Sequence, residues 1–90
     1  MSRIRDGTLK LVVLSGPGSL AEARRRLVSR IGADDVRPFG SAAVLVHTIE
    51  EAGAVRDWLG EGSGALVVEF EKWSGYGPEV PRDWLLARGH

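Results

Sequence analysis

The chain predicts an α+β sandwich: a four-stranded antiparallel sheet with two helices on one face. Two observations carry this reading. Apolar residues recur every second position, then every three to four, in the order strand, helix, strand, strand, helix, strand. Capping and stopping residues bracket both helical stretches. Size agrees: 90 residues with 43% hydrophobic content can build one core and no second one. There are no cysteines, which excludes disulfides, thiolate metal sites and cysteine nucleophiles together.

Thr8–Leu14 alternates as a strand, with Leu9, Leu11 and Val13 on one face and Lys10, Val12 and Leu14 on the other. Leu9, Leu11 and Val13 are assigned to the helix side. Ser15-Gly16-Pro17-Gly18 breaks the chain. Ser19 opens a helix and pairs with Glu22 as a capping box. Leu20, Ala23, Leu27, Val28 and Ile31 make one apolar stripe, with Arg24, Arg25, Arg26 and Arg30 mostly away from it. Gly32 suits a left-handed C-terminal cap. Val36–Phe39 is a short edge strand, because Pro38 has no N–H for a ladder. Gly40-Ser41 turns the chain. Ala42–Thr48 is apolar on both faces and belongs inside the sheet. Thr48 with Glu51 is a second capping box. The helix after it turns Ala52, Val55 and Leu59 inward and stops at Gly60. Ala65–Glu71 is the last strand, with Leu66, Val68 and Phe70 assigned to the helix side. With right-handed crossovers, this order is the ferredoxin-like βαββαβ fold.

The fold accounts for residues 1–72. Residues 73–90 form an aromatic C-terminal tail, kept extended by Gly75, Gly77, Pro78 and Pro81, with a short helix from Pro81 through Trp84, Leu85 and Leu86. The open face then receives Lys10, Val12, Leu14, Ala43, Leu45, His47, Val67, Glu69 and Glu71. Such a face is too apolar to stand bare in water. The tail, a second copy or another protein can cover it. Trp73, Tyr76 and Trp84 either complete a core or anchor a partner. The partner-binding candidates are Leu45, His47, Val67, Glu69, Glu71, Trp73, Tyr76 and Trp84.

Other motifs are weaker. Gly16, Gly18 and Ser19 fit a phosphate-cradling turn before a helix, and Arg24 and Arg25 could add charge to it. Against this, Pro17 deletes an amide, no second mononucleotide half follows, and the sheet is not parallel. Net charge is zero, and the central strands lack stacking aromatics, which argues against nucleic acid. His47 has no nucleophile motif beside it, and two histidines make no metal site. Neither catalytic residues nor a metal or cofactor is expected. The longest apolar run is Leu11–Leu14, so no membrane span is expected. No apolar stretch follows Arg3 and Arg5, so no signal peptide is expected, and a cytoplasmic location is expected by default.

Four stretches, Leu9–Leu14, Phe39–Val46, Glu50–Leu59 and Gly64–Glu71, together resemble the propeptide-type inhibitors of subtilisin-like serine proteases, the inhibitor I9 family. The resemblance covers about two-thirds of the chain. It rests on hydrophobic pattern and on the acidic end of the last strand. It implies an open sheet face docked on a protease, Glu69 and Glu71 capping helix N-termini of the enzyme, and Trp73 to Tyr76 in the substrate cleft. The long Gly/Pro-broken tail and Lys72-Trp73 after the last strand depart from that pattern and favour a free-standing relative. The expectation is therefore a non-enzymatic protein-interaction domain, in its sharp form a stand-alone inhibitor or chaperone of a subtilisin-like protease. The alternatives are a homodimeric regulatory domain that binds a small ligand, and a phosphate or nucleic-acid binder.

Overall fold

A computed structural model describes residues 7–15 and 19–88. The strands are β1 (Thr8–Leu14), β2 (Val36–Phe39), β3 (Ala43–Thr48) and β4 (Ala65–Phe70). The helices are α1 (Ser19–Ile31), α2 (Ala52–Leu59) and α3 (Arg82–Ala87). The sheet runs β2-β3-β1-β4, antiparallel throughout, in a ferredoxin-like arrangement. The doubly apolar β1 and β3 are the central strands. Pro38 sits on the edge strand β2, where its missing donor costs no ladder bond.

The core lies between the sheet and the first two helices. Val12 and Leu14 of β1, Val44 and Val46 of β3 and Val36 of β2 pack against Ala23, Leu27, Val55 and Leu59. Burying such a side chain fully contributes about 1.5–3 kcal/mol, so this layer supplies most of the apolar stabilisation. Gly32 and Gly60 end α1 and α2 at φ of 94° and 86°, values that disfavour any side chain. Their extended ψ is not that of a left-handed cap.

The sheet faces differ from the sequence expectation on two strands. Val12 pairs with both Val44 and Val67, so all three share the helix side. Lys10, Val12, Leu14 and Val67 therefore turn toward the helices, and Leu9, Leu11, Val13, Leu66, Val68 and Phe70 lie on the other face. A one-residue shift of parity inverts a strand; β1 is nearly as apolar on one side as on the other, and on β4 the more polar side, with Glu69, is the one that faces the helices. The second capping box also fails. Thr48 stays in β3, where its Oγ1 accepts the Glu50 N–H at 3.2 Å, and Glu51 precedes α2 without a side-chain cap. In the first box, the Ser19 side chain lies outside the described residues. The Glu22 carboxylate accepts instead from Arg25 Nη2 at 2.6 Å and Arg26 Nε at 2.8 Å. Arg26 also reaches the carbonyls of Trp58 and Leu59 that end α2, and Arg30 lies 5.5 Å over the Trp58 ring. Those two arginines clamp α1 to α2 rather than facing solvent alone.

Candidate functional site

Cross-strand pairing orders the face opposite the helices into rows. One row is Arg37, Leu45, Leu11, Val68; the next is Phe39, Ala43, Val13, Leu66. A third holds His47, Leu9 and Phe70. Leu9 is fully buried although no helix of the core layer reaches this face. What covers this end is the C-terminal segment.

After β4 the chain crosses back over the sheet toward β2. Gly77, at φ 100°, permits the reversal. Val80 then packs so closely that a Cβ on Gly75 would meet its Cγ2 at 3.1 Å. Pro81 is buried at the start of α3, and Leu85 is 3% exposed. The far end is tied to the loop before β2. Trp84 Nε1 donates to the Asp34 carbonyl at 2.8 Å, and Arg88 Nε to Asp35 Oδ1 at 2.9 Å. The Arg88 guanidinium also lies 4.3 Å over the Trp84 ring and bonds the Asp34 carbonyl. Asp35 stands 3.8 Å from His47 Nδ1, so one carboxylate faces both the tail and the sheet.

Between this strap and the sheet lies a cavity of about 430 Å³, open at one side. Leu11, Phe39, Leu45 and Phe70 form the sheet wall. Trp73, Val80, Pro81 and Leu85 form the strap wall, with Tyr76, 97% exposed, at its rim. The volume falls within the roughly 300–1,000 Å³ typical of small-molecule sites, and the predominance of apolar and aromatic walls is typical too. A second, more polar cavity of about 530 Å³ has Arg37, Arg82, Asp83 and Trp84 in its wall. Both cavities have Val80 and Pro81 in their walls.

The candidates from the sequence scatter around this site. Leu45, Trp73 and Tyr76 line the apolar cavity. His47 is buried on the same face beyond it, and Trp84 lines the polar cavity. Val67 belongs to the helix-side core, which corrects its open-face assignment. Glu69 is corrected too: it shares the helix side with Lys10, its Oε1 3.9 Å from Lys10 Nζ. Glu71 is exposed just past β4, which ends at Phe70. Gly16 and Gly18 lie outside the described residues, as does the Ser19 side chain. Arg25 is engaged by Glu22, whose carboxyl that pairing with Arg25 and Arg26 pulls down to about 2. Arg24 is exposed on α1.

Leu11, Phe39 and Leu85 were not among the candidates. The parity of Leu45 would have found the first two, since residues paired across strands share a face. Among the described residues, no group of three or more histidines or acidic side chains could hold a metal ion. None of their helices is long and apolar enough to cross a membrane. Comparison with protein-family models, with curated proteins and with solved structures gives no match for this chain.

Proposed function

We propose that the domain binds rather than catalyses, and that its site is the groove between the open sheet face and the C-terminal strap, which takes a small apolar ligand. One observation carries this reading: the strap roofs the sheet without filling the space beneath it, leaving about 430 Å³ of apolar cavity. Core packing elsewhere leaves few voids, so a space of this size against Leu11, Leu45 and Phe70 is a site rather than a packing fault. The test is a nuclear magnetic resonance titration with decanol and decanoate. Saturable shifts of the Leu11 and Leu45 methyls and the Trp73 indole, with Trp58 unmoved, are expected of at least one. Titration of both without saturable shifts overturns the reading.

A protein partner is the second reading, favoured by the row beyond the strap, where Val13 and Leu66 are exposed with Val68 beside them. Its sharp form keeps a subtilisin-like protease as partner. It requires the strap to leave the sheet, and of its two capping acids it keeps Glu71 alone, because Glu69 lies on the helix side. Inhibition of such a protease by the purified chain, weakened by Glu71→Ala, is its expected outcome; no inhibition at micromolar chain excludes it.

A further inference from the structure

Arg37 stands at the β2 end of the row that contains Leu45 and Leu11. It is exposed and makes no hydrogen bond or ion pair with any described residue. Its strand neighbour on the same face, Phe39, lines the apolar cavity, while Arg37 itself lines the polar one. Arg82, in the wall of that polar cavity, gives one N–H to the Gly75 carbonyl at 2.9 Å and keeps further donors. The polar cavity thus has two guanidiniums and a single carboxylate, Asp83, in its wall. Val80 and Pro81 are in the walls of both the apolar groove and this cavity, the groove's polar mouth, and Glu79 Oε1 lies 3.6 Å from where a Cβ on Gly77 of that wall would stand.

The geometry points to an amphiphilic anion as the ligand: an apolar body in the groove, with a carboxylate at its end held by Arg37 and Arg82. This rests on the groove being a binding site, and names the ligand class for it. An apolar body alone would explain the groove but not the uncommitted guanidinium in line with it. A guanidinium fork suits a carboxylate because it can offer two parallel N–H bonds. A cationic amphiphile would meet the same arginines as like charges.

Three probes with the same chain, decanoate, decanol and decyltrimethylammonium, separate the terms. Saturable shifts of the Leu45 methyls and the Trp73 indole report the groove, and shifts of the Arg37 and Arg82 side chains report the mouth. Decanoate is expected to bind at least about tenfold tighter than decanol, the effect of one charge-assisted hydrogen bond. Arg37→Gln, at an exposed position, is expected to remove that advantage while decanol affinity stays the same; Arg82→Gln, which also frees the Gly75 carbonyl in the groove wall, is expected to lower the ratio of decanoate to decanol affinity. If decanoate and decanol bind alike, or the glutamine variants leave decanoate unchanged, the anion assignment is overturned and the groove reading stands. If no probe binds saturably, both fall. If the ammonium probe binds tightest, Asp83 governs the mouth and the assignment is overturned.

Discussion

Lys10 is the residue whose chemistry is most at odds with its position. Its side chain is 1% exposed, on the helix side of a central strand. Its ammonium donates to Thr8 Oγ1 at 2.5 Å and to the Thr48 carbonyl at 2.9 Å, with Glu69 at 3.9 Å. Burial lowers its pKa from the usual 10.5, against the opposing pull of Glu69, Glu50 and Glu51. The folded state therefore releases this proton at a lower pH than the unfolded chain. Stability contributed through Lys10 should rise with pH across the window that ends near 10.5. Lys10→Met keeps the volume and removes the titration. It should change stability at neutral pH by about 1 kcal/mol or less, because desolvation of the ion offsets its bonds. Urea denaturation of both proteins from pH 7 upward should show the native chain gaining on the variant. A constant difference between the two curves would mean that Lys10 does not titrate differently in the fold.

At the scale of elements, the sequence marks where strands and helices lie better than which way the strands face. β1, β2 and α1 fall where the periodicity puts them, and Gly32 and Gly60 stop the helices. The facing of β1 was not legible, because Leu9-Leu11-Val13 and Val12-Leu14 are equally apolar, and β4 was misread because its helix side carries Glu69 while Leu66, Val68 and Phe70 lie on the other face. The ordinary rule of one wet face fails when a tail covers the other side. Thr8 and Lys10, the polar cues on β1, share one side and point the wrong way, because the Lys10 ammonium is met by Thr8, Thr48 and Glu69. For the same reason the groove was half legible: Leu45, Trp73 and Tyr76 were found, and Leu11, Phe39 and Leu85 were not. The strap is held by Leu85 and by the Trp84–Arg88–Asp35 cluster at its far end. Leu85→Ala should cost about 2 kcal/mol at most in global stability, the low end for such a truncation, because opening of α3 alone caps the loss. Amide exchange should accelerate most through residues 82–88, while the β1 and β3 amides lose no more protection than the fall in global stability requires. Equal acceleration in the central strands would show that strap and sheet open together.

At the scale of the whole molecule, one sheet serves two layers. Val12, Val44 and Val46 face the helices and hold the fold; Leu11 and Leu45, on the same two strands, face the groove. Alternating side chains place these duties one residue apart, so stability and binding should separate by parity along a single strand. Val46→Ala, in the closed core, should lower the stability of the domain by about 1–3 kcal/mol through lost burial and an unfilled cavity. The groove is untouched, so each folded molecule should bind decanoate as before. Leu11→Ala enlarges a space that is already open. Its effect on stability should be smaller, because no closed cavity is created, whereas the ligand loses a wall. Comparing urea midpoints with decanoate affinities for the two variants tests the division. Val46→Ala should move the midpoint and leave the affinity, and Leu11→Ala should weaken the affinity several-fold with the smaller shift in midpoint. The same ranking in both measurements would mean that the two faces are coupled through the strands, and that the groove is part of the core rather than a site built upon it.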